Sequence, residues 1–403
     1  MASKNNAVAE GSGTARPEKK QSIIYNPTFR SIVFQAVAII ALVLFVYNIV
    51  NNALTNLDAR GIATGFGFLS QEAGFGIGLT LIEYNETYSY GRTFFVGLLN
   101  TALVSILGIV FATIIGFLIG IARLSSNWLL SRFAAVYIET FRNIPLLLQI
   151  FFWYFAVLQA LPSPRNSLSF GESVFLNVRG LYLTRPVFEE GSMWIFISLV
   201  VALVFSFAYS RWAKNKQEAT GQQSPVFWVS LGTIIGLPLL AFVLAGTPVS
   251  LEYPVLKGFN FRGGLSIIPE LAALTLALSI YTASFIAEIV RSGINAVSHG
   301  QTEAAMALGL PKSKTLRLVV IPQAMRIIIP PLTSQYLNLT KNSSLAMAIG
   351  YPDLVSVFAG TTLNQTGQAI EIIAMTMAVY LSLSLLTSLL MNIYNAKVAL
   401  VER

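Results

Sequence analysis

The 403-residue chain has no cysteine and a single histidine, His299. The first absence removes disulfides, thiolate metal sites and cysteine nucleophiles together. The second leaves any imidazole-based catalysis or metal binding resting on one side chain. Charge is scarce too. Asp, Glu, Lys and Arg make up 11% of the residues, against about 25% in an average soluble domain. Long uncharged stretches account for the deficit, and a soluble two-domain enzyme is excluded. What abounds is apolar: 55% of the residues are hydrophobic and the mean hydropathy is +0.67. The composition is that of a polytopic membrane protein. A net charge of +8 would suggest nucleic acid in a soluble chain; here it must first be sorted by side of the bilayer.

A bilayer core about 30 Å thick takes roughly 20 helical residues to cross, so charge-free intervals predict the spans. The first covers 31–50, the second lies between Arg92 and Arg123, the third between Arg142 and Arg165, and the fourth between Glu190 and Arg211. The fifth is centred on 226–244 and the sixth lies between Glu270 and Glu288. The seventh, about 327–350, is interrupted by Pro330, Pro331 and Lys341, and the eighth lies between Glu371 and Lys397. Eight spans put both termini on the cytoplasmic side. The inner segments then hold 18 of the 26 basic residues and the outer loops 7, with Lys341 inside the membrane. That is the asymmetry of the positive-inside rule. By charge, the inner segments carry +11, the outer −4 and the membrane +1, so the net +8 needs no nucleic acid. Trp194 and Trp212 flank the fourth span about 27 Å apart at helical rise, as an aromatic belt would place them. Residues 1–30, rich in Gly, Ser, Lys and Pro, read as a disordered basic cytoplasmic tail. A signal peptide is not expected, and the 31–50 span should remain as an anchor.

The cytoplasmic segment 288–329 is the informative part. Thr302 to Leu308 is strong helix former, Gly309 is placed to end that helix in a left-handed conformation, and Pro311 is suited to open the next. The result is a short helix–turn–helix outside the membrane. It fits either a docking element for a partner or an ordinary cytoplasmic hairpin.

Glu303-Ala304-Ala305, Gly309 and Val319-x-Ile321-Pro322 resemble the Glu-Ala-Ala loop of binding-protein-dependent ABC importer permeases. Val319 and Ile321 depart from that pattern only conservatively. Pro322-Gln323-Ala324 resembles the polar-amino-acid, histidine-permease-like branch. Further matches follow in family order: Gly97-Leu98-Leu99-Asn100-Thr101, Arg142-Asn143-Ile144-Pro145-Leu146-Leu147, Ala287-Glu288-Ile289-Val290-Arg291 and Lys341-Asn342-Ser343-Ser344-Leu345. The extra first span, the insert and the stretch Gly61-Ile62-Ala63-Thr64-Gly65-Phe66-Gly67-Phe68-Leu69 resemble the long permease subunit of general L-amino-acid importers of Gram-negative bacteria.

The resemblance implies an all-α polytopic membrane protein of about eight transmembrane helices, built on the five-helix core of a type I ABC importer permease. The core would occupy 93–161 and 265–397, the latter with the coupling loop 291–326. An insert, 162–264, would add two helices. The implied function is the membrane-spanning subunit of an ATP-driven importer of L-amino acids in the bacterial inner membrane. Its implied partners are ABC ATPase subunits, a second permease subunit (a paralogue) and a periplasmic amino-acid-binding protein. Glu303, Ala304, Ala305, Gly309 and Pro322 would couple to the ATPase. ATP and Mg would be bound by that ATPase, leaving no cofactor on this chain. The residues agree on one point: Gly309-Leu-Pro-Lys-Ser-Lys-Thr315 lacks the second glycine of a phosphate loop and follows a helix where a strand is needed.

An ionisable group inside a membrane is by default a functional hypothesis. Lys341 has three readings: it faces a translocation path and meets a substrate carboxylate, it pairs with an acidic side chain, or it snorkels to an interface. Asn342, Ser343, Ser344, Tyr281, Thr282, Ser284 and Asn100 are the other candidate path residues, each with helix packing as its plainer role. Glu288 and Arg291, at i, i+3, read as a structural pair, and His299 as a solvated loop residue. No catalytic or metal residue is proposed. An ion-coupled secondary transporter would share the hydropathy and Lys341, but would often show inverted repeats that are not visible here. A membrane enzyme has little chemistry available to it.

Overall fold

A computed structural model of the chain describes residues 27–59, 61 and 64–398. It divides into two units, residues 1–66 and 67–403. Almost all of the proposed 1–30 tail lies outside the described residues. In the first unit, helix α1 (Pro27–Ala59) carries the apolar stretch expected of the first span and begins four residues before it.

The second unit opens inside a short 3-10 turn (Phe66–Ser70) and continues as an extended strip that leads to α2 (Tyr90–Arg123). Then α3 (Trp128–Asn143) meets α4 (Leu146–Phe151), which continues as a π-helix to Leu158, at a bend of 107°. Pro145 forces the bend: it has no N–H to continue the ladder, and Ile144 before it is extended, at φ −94° and ψ 126°. Gln149 seals the corner by donating to the carbonyls of Phe141 and Ile144, at 3.0 and 2.9 Å. The expected third span between Arg142 and Arg165 is therefore the outer arm of a bent pair. Among the described residues, seven helices are long and apolar enough to cross alone, and this pair, taken as one span, makes an eighth.

The insert holds what a helical reading did not foresee. Its outer segments form strands: β1 (Leu168–Phe170), β2 (Val174–Asn177), β3 (Gly180–Leu183) and β4 (Arg185–Phe188) before the helical hairpin α5 (Met193–Thr220) and α6 (Val226–Leu244), then β5 (Val249–Glu252), β6 (Val255–Lys257), β7 (Asn260–Arg262) and β8 (Leu265–Ile267) after it. An antiparallel sheet of order β1-β2-β3-β8 and the β4–β5 pair tie the two halves of the insert together, with Leu181 opposite Ile267 and Arg185 opposite Glu252. The short apolar runs Val174-Phe175-Leu176 and Leu181-Tyr182-Leu183 on either side of Asn177–Gly180 carried this signal, but runs of three or four residues are too short to outweigh hydropathy.

Helix α7 (Pro269–Asn295) is the centre of the bundle, its Ala273, Leu274, Ala277, Leu278, Ile286 and Ala287 fully buried. Along it, α2 packs closely enough that a Cβ at Gly116 would lie 2.6 Å from Ile286 Cβ, and one at Gly120 2.8 Å from the Ala287 carbonyl. Small residues at such crossings are how membrane helices gain contact without a hydrophobic drive. Next come α8 (His299–Ala307) and α9 (Lys312–Thr315), followed by a π-turn (Leu316–Val320), α10 (Ile321–Asn342) and a 3-10 stretch (Ser343–Ile349). From Lys312 to Ile349 the helical run is continuous, so the helix that carries the seventh span starts 15 residues before the predicted 327. It runs through both Pro330 and Pro331. The segment expected as an outer loop is a π-helix (Val355–Thr362) and α11 (Leu363–Thr366), and α12 (Ala369–Val398) is the last element of the described residues.

Candidate coupling element and translocation path

The expected helix–turn–helix forms as the residues require. Gly309 has φ +80°, and the end of α8 is a Schellman arrangement: Gly309 N–H donates to the Met306 carbonyl at 2.9 Å and Leu310 N–H to that of Ala305 at 3.2 Å. Pro311 is the N-cap of α9, one residue short of its expected place inside the helix. Ala305 is buried, fixing α8 to the protein, whereas Glu303, Ala304 and Gly309 are exposed. Pro322 sits in the first turn of α10, directly after the π-turn. The wider turn accommodates a proline that could not donate to an α-helical ladder, so α9 runs on into α10 as one rod.

His299 is not a loop residue but the first residue of α8, with Nδ1 3.0 Å from Glu303 Oε1. Both side chains are exposed, so the contact leaves the carboxylate accessible. Leu308, which pattern matching passed over, is 84% exposed at the tip of α8. A solvated leucine at the end of a helix that also exposes a carboxylate gives a surface suited to contact rather than to water. Its signal lay in the sequence as an apolar residue beside the glycine that ends a short polar helix.

The candidate path residues fall in two places. On α7, Thr282 and Ser284 are buried, Ser284 Oγ donates to the Tyr281 carbonyl at 2.6 Å, and the Tyr281 ring lies against Phe285 with centroids 5.0 Å apart. At the end of α10, Ser343 is buried and donates to the Thr340 carbonyl at 2.7 Å, Ser344 donates to that of Lys341 at 2.7 Å, and Asn342 is half-buried. Lys341 is exposed and forms no ion pair among the described residues. Asn100 is fully buried on α2 and makes contacts of a different kind, to loop carbonyls. Buried hydroxyls without a hydrogen-bond partner among the described residues add Ser105 on α2 and Thr275 and Ser279 on α7. The 275/279 spacing places the latter two on one helix face. Glu288 and Arg291 form a two-point pair, with Arg291 Nε 3.0 Å from Glu288 Oε2 and Nη2 to Oε1.

Residues 219–400 match the family described as binding-protein-dependent transport system inner membrane component. Permease protein YhdX of Escherichia coli (strain K12) is 59% identical to this chain over 94% of its length and 96% of that protein's. The chain belongs to this family. Two further relatives align along nearly their whole length. The general L-amino acid transport system permease protein AapQ of Rhizobium johnstonii is 56% identical over 95% of this chain and 96% of its own. The glutamate/glutamine/aspartate/asparagine transport system permease protein BztB of Rhodobacter capsulatus is 42% identical over 94% and 96%. The chain is thus a multi-pass permease, a transport subunit whose helical fold carries short strands only in the insert, and its family motifs acquire shapes. The Arg142–Leu147 motif is the bend at Pro145, the Glu288–Arg291 motif is the ion pair, and the Glu-Ala-Ala loop is α8 with its capped end.

Proposed function

We propose that this chain is one of two membrane-spanning subunits of an ATP-driven importer of L-amino acids. A paralogous permease completes the pathway, a periplasmic binding protein delivers the amino acid, and separate ABC ATPase subunits dock on α8. The observation that carries the reading is the exposed α8 tip. Glu303 and Leu308 stand in solvent at α8, whose end is set by Gly309, and beyond that capped turn the chain is helical without a break from Lys312 through Pro322 into a membrane helix. A push on α8 is transmitted to α10 because the α9–α10 rod has no loop in which to dissipate it. Glu303 pairs with a basic residue of the ATPase groove, Ala304 permits close approach, and Ala305 anchors α8 from behind.

ATP and Mg belong to the ATPase, which supplies the work; this chain orients and carries. Both termini lie in the cytoplasm, as the distribution of basic residues supports. The polar groups of α7 (Tyr281, Thr282, Ser284) and the run Lys341-Asn342-Ser343-Ser344 line the route, with Lys341 meeting the amino-acid carboxylate, while Asn100, spent on the Leu79 and Pro352 carbonyls, stands behind it.

Reassembly of the chain with its partner permease, ATPase and binding protein in liposomes tests the whole reading. Uptake of radiolabelled amino acids should require both ATP and the binding protein. Uptake driven by an ion gradient without ATP would make it a secondary transporter instead.

A further inference from the structure

The Gly97-Leu98-Leu99-Asn100-Thr101 motif has no place in ATPase docking, and the fold gives it one. Residues 97–101, on the outer half of α2, meet residues 351–354, some 250 positions later. Asn100 Nδ2 donates to the Pro352 carbonyl at 2.8 Å and also to the Leu79 carbonyl at 2.9 Å. The Tyr351 hydroxyl donates to the Asn100 carbonyl at 2.9 Å. Leu354 N–H donates to Thr101 Oγ1 at 3.0 Å, while that hydroxyl donates to the Gly97 carbonyl at 2.9 Å. Gly97 lets the backbones touch: a Cβ there would stand 2.9 Å from Leu354 Cα. Asp353 closes the other side, accepting from Ser356 N–H at 2.8 Å and from the Tyr380 hydroxyl of α12 at 3.4 Å. Asn100, Thr101, Tyr351, Asp353 and Leu354 are all fully buried.

The chain needs these contacts because it is irregular here. Between Ser343 and Thr362 it passes from a 3-10 stretch through a left-handed Gly350 (φ +75°) to a π-helix. The backbone groups at such junctions have no ladder to satisfy them, and where they are buried from water other protein groups must take its place. Here α2 supplies those groups, and in doing so it fixes where the preceding residues stand. Lys341 to Ser344 lie seven residues or more upstream of Tyr351, joined to it by one short helix.

We infer that residues 97–101 and 351–354 form a clasp that positions the Lys341–Ser344 run against α2, so that α2 and the 343–354 segment move as one body during transport. The inference deepens the importer reading and rests on it for the meaning of the positioned residues. Thr101 and Asn100 are positioning residues in this scheme; they touch no substrate.

Thr101→Val is the decisive variant, near-identical in shape but leaving Leu354 N–H without an acceptor; Thr101→Ser keeps the acceptor. In liposomes holding the complete transporter, Thr101→Val should lower the maximal uptake rate about tenfold, the worth of one buried hydrogen bond. The KM for loaded binding protein should stay within about twofold, and Thr101→Ser should restore the rate. Hydrogen exchange across 351–358 should quicken in Thr101→Val alone. If Thr101→Val does not fold, Gly97→Ala serves, since it spreads the clasp without removing a hydrogen bond, and the same rate loss is expected. Wild-type uptake rates in a folded Thr101→Val or Gly97→Ala, or a Thr101→Ser as impaired as the valine variant, overturn the clasp. If the wild type carries no amino acid, the importer reading fails separately. The clasp is then judged by binding-protein-stimulated ATP hydrolysis, which Thr101→Val should lose and Thr101→Ser keep, and by the exchange rates.

Discussion

Replacing Gly309 with alanine sets two lines of reasoning against each other. By helix propensity alone, alanine at the end of α8 should stabilise it by about 1 kcal/mol. The structure predicts the opposite sign, because Gly309 sits at φ +80°, where a Cβ costs about 1–2 kcal/mol. Nothing else adds to the cost: a Cβ at 309 meets no atom within 4 Å. The chain can escape only by extending α8 in right-handed form. That sacrifices the capping bonds of Gly309 and Leu310, at 2.9 and 3.2 Å, each worth about 1 kcal/mol, and swings α9 away from its line. Either route penalises the docking shape by about 1–2 kcal/mol, a factor of about 5–30 in its population. The position is exposed, so thermal unfolding of the purified permease should scarcely change, while the affinity for ATPase subunits and the uptake rate in liposomes fall by that factor. Gly309→Asn should fall in between, since asparagine enters the left-handed region more readily. ATPase binding by Gly309→Ala within twofold of wild type, or an asparagine variant as impaired as alanine, refutes the reasoning.

Three other outcomes follow from named contacts. Glu303→Gln should weaken ATPase binding by about thirtyfold or more, as loss of one member of a desolvated interfacial charge pair does, and flatten its salt dependence; titration of the ATPase at two ionic strengths reads both. Lys341→Met should leave ATPase binding intact and lower uptake about tenfold, the scale of a single charge-assisted hydrogen bond; unchanged uptake kinetics would leave Lys341 only an interfacial role. Asp353, in the segment between the seventh and eighth spans, is fully buried, and burial pushes its carboxyl up to about 7 from about 3.9. The folded state therefore holds that proton more tightly than the unfolded state. The resulting stability is present below pH 4 and is lost as pH rises through 7. Against Asp353→Asn, the unfolding temperature of the wild type should drop between pH 5 and pH 8, and parallel curves would show that Asp353 does not titrate there.

Particular residues show how much of this was legible beforehand. Gly309, Pro311 and the strong helix formers before them specify α8 and its end from local rules, because capping depends only on nearest neighbours in the chain. Charge-free runs located the spans for the same reason: crossing a bilayer is a property of each segment alone. The bend at Pro145 was misread because hydropathy averages over the residue that breaks the helix. The strands of the insert were missed because the pairing of Leu181 with Ile267 bridges 86 positions, and no window sees both partners. Leu308 went unmarked because exposure is not a property of residue type.

The sequence by itself determined the solvent this protein lives in, its apolar spans to within one bent pair and the family to which it belongs. Each of these follows from local composition acting against a fixed external medium. Only the tertiary structure decided that α9 and α10 form one rod, that α2 seats its glycines against α7, and that Asn100 and Thr101 hold a turn 250 residues away. Those depend on which buried polar groups find one another once the helices are packed. In a membrane, where water cannot substitute for a missing partner, that choice is made by the fold as a whole.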